Sequence, residues 1–458
     1  ACKDHTSGRS SLHSGPRTEL HEIIRQEYAR HQDRAVPRNT LRQAVQGMLD
    51  TFAYQNFDAA AGEYTNRCCR PPRETEMRPW RLVTEIGWTG GGVLAYPLVL
   101  CRDALGADAE APLAAAMSGE QLFDRIADAY NENSGLLNDL MAPNAAGSQV
   151  NGWWTGYGLV KDCHCAYTVG SAVHYLTKTM DYLHQNGKPC PAKWMDAAQK
   201  VLHTVMDLQR ADGAFGYTYS TQERKVLDWS GFAGCWFAPA LVYLYRLTGE
   251  ERCLHSAEKA LDYYHTFVKD LNCYGTPMDT WKAVDEEGNL AFMRGSRLLY
   301  EQTGKAEFLQ YMKDSAGYEF LWRYGYKTYP EHTPLNQGWS ACGGAVTSVS
   351  NPHIHPMGVI IDTDLRYLAR VTGDGYYASR AADSAAWMLQ CLELYPAATG
   401  YGRYGILSER WCPSDGLDVE RFSDGRPFSS WFSHNLWASA CVLEAACELL
   451  LEIEHKKG

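Results

Sequence analysis

The chain has no run of about eighteen uncharged apolar residues, so a membrane-spanning helix is not expected. It also lacks an excess of basic charge: 43 Lys and Arg stand against 54 Asp and Glu, a net charge of −11. A nucleic-acid binder needs a basic face to neutralise phosphates, so nucleic acid is not expected as a partner either. Disordered and fibrous classes do not fit 45% hydrophobic and 21% charged residues, an ordinary globular balance. The first forty residues have no apolar core and are not a secretory signal in the form given. They are read as a polar N-terminal extension, residues 1–40, before one large domain, residues 41–458.

A chain of 458 residues buries a large core without staples. Its fifteen cysteines therefore have no necessary bridging role. Cys101, Cys235, Cys391, Cys441 and Cys447 lie inside apolar helical runs, where they read as small buried hydrophobes. That usage favours a reducing, cytoplasmic setting. Self-association as a homo-oligomer is compatible with this composition.

One pattern recurs: an apolar helix, a Gly turn, then an amphipathic helix. It ends its first half at Thr248-Gly249-Glu250, at Thr303-Gly304 and at Thr372-Gly373-Asp374, where Gly suits a left-handed C-cap. After the first of these, Leu254, Ala257, Leu261, Tyr264 and Val268 share one helical face. Weaker copies follow Gly90 and Ala166, and further helices begin near Leu41 and Phe432. The count is twelve helices in six hairpins. Short connections alternate with long ones near 55–89, 131–165, 210–231, 270–289, 322–356 and 394–431. Loops this long are functional or signs of a wrong assignment. Strict alternation puts all six at one end, and antiparallel hairpins closed into a ring do this. The expected fold is all-α, an (α/α)6 barrel with its long loops forming a cleft. Phe232–Tyr245 is apolar nearly all round, as an inner helix must be, and Pro239 and Pro97 near inner-helix starts predict kinks.

Roughly ten of the fourteen tryptophans fall in the long loops, among them Trp88, Trp229, Trp339 and Trp431. Indoles there suit the apolar C–H faces of pyranose rings, and the same rings also serve as small loop cores. Glycoside hydrolysis needs paired carboxyls, which would sit where a long loop meets an inner helix. Glu85, Asp162, Asp228, Asp279 and Glu409 are placed so. Asp162 and Asp228 stand out because apolar neighbours raise a carboxyl pKa, as a general acid requires. Each would equally serve as a helix N-cap.

Val226-Leu227-Asp228-Trp229, followed by the helix from Pro239 to Glu250, resembles a stretch of the unsaturated glucuronyl hydrolases. That family, the rhamnogalacturonyl hydrolases and some β-glucuronidases share the (α/α)6 barrel. The resemblance implies a second essential Asp one hairpin earlier, where Lys161-Asp162-Cys163-His164 stands. This chain has extra residues between Asp228 and Pro239. In place of the families' Arg-Gly-Asn-Gly-Trp motif it has only Met293-Arg294-Gly295-Ser296-Arg297.

Ser350-Asn351-Pro352-His353-Ile354-His355 opens another inner helix, and His434 has the same placement. Paired histidines could orient a sugar carboxylate or act as acid and base. They would equally suit a uronate lyase, or a sugar epimerase on the same barrel. Arg67, Arg70, Arg73, Arg78 and Arg81 crowd the first long loop and could clamp an anionic sugar. Cys163-His164-Cys165 and Arg67-Cys68-Cys69-Arg70 space their thiols too closely for structural zinc, and Gly90-Gly91-Gly92 lacks the Lys of a phosphate loop. Neither metal nor cofactor is expected.

The expected function is exo-acting hydrolysis of glucuronides or small uronic-acid-containing oligosaccharides. Asp162 and Asp228 would be the catalytic pair. Trp88, His164, Trp229, Arg294, Trp339, His353, His355, Trp431 and His434 would contact the oligosaccharide or glycoside substrate.

Overall fold

The computed structural model describes residues 17–31, 34–59, 63–69, 78–82, 85–87, 90–106, 110–141, 149–154, 159–276, 282–328, 340–349, 351–392, 405, 407–409, 411 and 432–455. Thirteen α-helices occur among them. They are α1 (Arg17–Arg30), α2 (Leu41–Thr51), α3 (Gly92–Leu105), α4 (Glu110–Asp128), α5 (Ala166–Gln185), α6 (Ala192–Asp207) and α7 (Phe237–Thr248). The rest are α8 (Glu251–Lys269), α9 (Glu287–Thr303), α10 (Ala306–Trp322), α11 (Asp362–Thr372), α12 (Gly375–Cys391) and α13 (Leu436–His455). Apart from α1, these are the expected twelve. None is long and apolar enough to cross a membrane.

Helices α3, α5, α7, α9, α11 and α13 touch in sequence order and close on themselves, forming the inner ring. Each packs on its hairpin partner outside, and α13 takes α2, so the two ends of the chain complete the sixth pair. The all-α (α/α)6 barrel expected from the repeat is the fold. Gly249, Gly304 and Gly373 hold φ of 73°, 66° and 70°. A residue with Cβ is disfavoured there, which is why glycine ends these inner helices.

Inner helix α7 is apolar nearly all round because both of its faces are covered. Leu241, Val242 and Leu244 of α7 are fully buried, each worth roughly 1.5–3 kcal/mol. Pro239 lies in the first turn of α7, which starts at Phe237 after a 3-10 turn over Ala233–Trp236. Its missing N–H falls among those that have no intrahelical partner anyway, so no kink is needed.

Residues 17–30, inside the stretch read as an extension, form α1 against α10. Leu20, Ile23, Ile24 and Tyr28 make a helical stripe that the polar composition hid. Arg25 grips Asp374 at 2.7 and 2.8 Å, and the buried Tyr28 hydroxyl donates to Asp383 at 2.5 Å.

The long connectors are stitched to one another around a single rim. Ile86 N–H donates to the Asp139 carbonyl, joining the loops before α3 and α5. Strand Cys163–Cys165 pairs with Thr218–Ser220, which pairs with Val226–Asp228, joining the loops before α5 and α7. Phe232 N–H donates to the Tyr274 carbonyl, and Asp285 bridges Ser348. Ile354 bridges Trp411, and strand Phe432–His434 pairs with residues 67–69. This circuit places the described parts of the long connectors over the N-termini of the inner helices.

Candidate active site

Side chains at the first turns of the inner helices form the floor under that rim. Glu287, in the first turn of α9, is buried and accepts a hydrogen bond from the Tyr167 hydroxyl of α5. The Tyr167 ring meets the Trp236 indole edge-on at 5.8 Å, just before α7. Across the ring, Glu287 acts electrostatically on Cys441, one turn along α13 from Trp437. Trp437 in turn stacks on His355 at 6.0 Å. One carboxyl, one phenol, two indoles and an imidazole, from five inner-helix entries, thus converge.

His353 and His355 alternate on strand Asn351–His355, so both rings lie on one face, 6.5 Å apart. Both are buried. The His355 Nδ1 lies 2.8 Å from the His353 carbonyl. A carbonyl only accepts, so Nδ1 carries a proton and donates it there.

Behind the floor, Arg323 at the end of α10 donates to Glu319 at 2.7 and 3.0 Å, to Asp362 at 2.9 Å and to the Gly358 carbonyl at 2.8 Å. Burial raises the Asp362 carboxyl to about 6 despite Arg323. Asp285 accepts from the Thr276 and Gly288 N–H groups, each at 3.1 Å, which fixes the entry into α9. Even so, complete burial drives its carboxyl well above the usual range.

Asp162 and Asp228 both stand on the rim: Asp162 immediately precedes one outer strand of a small sheet, and Asp228 ends the other. Asp228 is in register with Thr218, and Thr218 with Cys165. Two strand spacings across and three residues along put the Asp162 and Asp228 Cα atoms on the order of 14 Å apart. Carboxyls that share one glycosidic bond lie roughly 5–9.5 Å apart, and each of these two is hydrogen-bonded to its own partners rather than to the other. Asp162 is exposed, at φ 60°, and accepts from Asn151 at 2.5 Å. Asp228 accepts from Lys282 at 2.6 Å and from Ser230 N–H at 2.8 Å. Partial burial works to raise its carboxyl, but Lys282 and the Ser230 amide outweigh it and hold it below the usual range. That is the opposite of a general acid's tuning.

Other residues singled out by sequence take structural positions. Arg294 lies two turns into α9, almost wholly buried, donating to Glu444 at 3.0 Å and to the Ile360 carbonyl. It is a core ion pair near the opposite mouth of the barrel, not a cleft residue. His164 contacts Ser134 Oγ at 2.9 Å, and His434 contacts the Leu407 carbonyl and Asn56 at 3.0 and 3.2 Å. Burial pushes both imidazoles down to about 4, so they are neutral braces between loops. Trp229 is half-buried under the Arg210 guanidinium at 5.1 Å. Glu85 is buried and Glu409 half-buried, while Trp88, Asp279, Trp339 and Trp431 lie outside the described residues.

Sequence reasoning passed over Glu287, although Asp285-Glu286-Glu287 is an acidic triplet where a long loop meets an inner helix. Trp236 and Trp437 were missed because they sit in the entries of helices rather than in loops.

No family model matches the chain, and no curated protein does. Three solved structures match over almost their whole lengths. A family 76 glycoside hydrolase, a mannosidase from Bacteroides thetaiotaomicron, is 12% identical with a TM-score of 0.54, covering 91% of this chain and 99% of its own. A cellobiose 2-epimerase from Spirochaeta thermophila is 12% identical with a TM-score of 0.56, covering 96% and 99%. An unsaturated glucuronyl hydrolase specific for heparin is 12% identical with a TM-score of 0.51, covering 91% and 98%. At such identities these likenesses establish the barrel, and the barrel alone hosts several chemistries.

Proposed function

We propose that this protein is a carbohydrate-active enzyme that hydrolyses glycosidic bonds over the N-termini of its inner helices. The observation that carries the reading is the convergence of Glu287 and Tyr167 with the Trp236 and Trp437 indoles. Indoles hold a pyranose by its C–H face, and a buried carboxyl bonded to a phenol can deliver a proton to a departing glycosidic oxygen. The glucuronyl hydrolase among the similar structures supports a glucuronide or a small uronic-acid-containing oligosaccharide as substrate, as does the arginine-rich first loop. Asp228, kept ionised by Lys282, is suited to stabilising positive charge from the rim, and Asp162 to contacting a distal part of the substrate.

A second reading is epimerisation. His355, with its Nδ1 N–H committed to the His353 carbonyl and its ring stacked on Trp437, is placed to exchange a proton next to a sugar carbonyl. Incubation with glucuronides, lyase-generated disaccharides, mannosides and cellobiose in deuterated water separates the two. Hydrolysis raises the reducing-end count; epimerisation leaves it constant and places solvent deuterium on carbon. Neither change on any of these substrates refutes both readings.

A further inference from the structure

Behind the candidate site one guanidinium serves three buried carboxyls. Arg323 donates to Glu319 and to Asp362, as described above. The third carboxyl is Glu286, the N-cap of α9, with no solvent exposure. Among the described residues neither of its oxygens receives a hydrogen bond. The polar group within hydrogen-bond reach is the Glu319 carboxylate. Its other charged or titratable neighbours are Arg323 from α10, Glu287 on its own helix and Cys441 from α13. Asp285 precedes it in the chain, and Asp362 of α11 lies beyond Arg323. The turn Met357–Ile361 packs so closely that a Cβ on Gly358 would lie 2.4 Å from Glu286 Oε1.

Two carboxylates that face one another repel, and the contact becomes a bond when one of them carries a proton. Arg323 donates two N–H groups to Glu319, which makes Glu319 the acceptor of the pair. We propose that Glu286 is a neutral carboxylic acid that donates its proton to Glu319, tying the start of α9 to α10 and to the turn that leads into α11. Glu287 follows Glu286 directly, and the His353–His355 strand leads into the same turn, so Glu286 is a positioning residue for both. That consequence alone rests on the proposed function; the protonation does not.

Glu286→Gln replaces the donor by an amide that cannot titrate. In the unfolded chain a glutamate ionises near about 4.3, whereas in the folded chain this one stays protonated above that value. The native state then holds one more proton than the unfolded state, and each pH unit above about 4.3 lowers the wild-type folding constant by up to about tenfold. The variant escapes this loss. Denaturant unfolding of the full-length wild type and variant between about pH 5 and pH 8 is expected to show their ratio of folding constants rising with pH, up to about tenfold per unit. Parallel profiles overturn the proposal. A Glu319→Gln variant is expected to be destabilised at every pH, because Arg323 loses its anion. If it instead follows the Glu286→Gln profile, the proton belongs to Glu319 and the assignment fails. Infrared spectra of wild-type protein with ¹³C-labelled glutamate provide a check that needs no variant. At about pH 8, where free carboxyls are ionised, a protonated glutamate carbonyl band is expected, and carboxylate bands alone overturn the proposal. All three measurements need no substrate, so their failure is separate from failure of the proposed reaction.

Discussion

Replacing Arg294 by methionine separates a substrate contact from a core ion pair. In the folded protein its guanidinium donates to Glu444 at 3.0 Å and to the Ile360 carbonyl, with Asp364 at 3.5 Å. Removing one member of a buried pair costs about 3–5 kcal/mol when the remaining charge is left bare. Here neither carboxylate is left bare. Glu444 keeps Lys178 at 2.5 Å and the Tyr175 hydroxyl at 2.8 Å, and Asp364 keeps Arg297 at 3.2 Å. The cost therefore belongs at the lower end, about 3 kcal/mol. Unfolding entropy of roughly 2.1 cal/mol/K per residue gives about 1 kcal/mol/K for 458 residues. The expected fall in Tm is then about 3 °C by scanning calorimetry, with sugar affinity retained. An unchanged Tm together with lost sugar binding would refute the reasoning and return Arg294 to the substrate site.

Lys282→Met frees Asp228 from its partner. The lowered Asp228 carboxyl contributes stability above its unfolded value that is lost as pH falls through the folded one. The variant should lose about 0.2–1 kcal/mol near neutrality, a gap that closes in acid on a denaturant titration. His434, held neutral down to about 4, takes up a proton on unfolding between about 6.5 and that value. Its stabilising effect is thus present above about pH 6.5 and is lost as pH falls. His434→Gln should reduce the steepness of acid destabilisation by up to about tenfold in the folding constant per pH unit, and an unchanged slope contradicts burial of a neutral ring. Gly87→Ala would place a Cβ 2.1 Å from the Thr168 carbonyl oxygen. Backbone cannot yield as a side chain can, so a loss of about 1–3 kcal/mol is expected by calorimetry.

The barrel was legible because its signals are local. Thr248-Gly249, Thr303-Gly304 and Thr372-Gly373 mark the ends of inner helices by backbone sterics alone, and alternating loop lengths then dictate which end carries the cleft. Helix α1 escaped because its stripe of Leu20, Ile23, Ile24 and Tyr28 is diluted by arginines and glutamates that face solvent or ion-pair partners. The site was less legible because the role of a carboxyl depends on what touches it. Asp228 meets Lys282 from the next long loop, 54 residues away, and Arg294 meets Glu444, 150 residues away. No spacing rule reports such contacts. Glu287 satisfied the junction criterion applied to Asp162 and Asp228, yet only the approach of Tyr167 from α5 sets it apart.

The claim that chemistry occurs on the floor beneath the rim is tested most directly by affinity labelling. An epoxyalkyl glycoside of a turned-over sugar esterifies the carboxylate nearest the bound ring, and peptide mapping by mass spectrometry locates the ester. The expected site is Glu287, with Glu287→Gln abolishing the label and lowering turnover by about 10²–10⁴. Labelling of Asp162 or Asp228 in its place, or a Glu287→Gln variant as active as the wild type, contradicts the account.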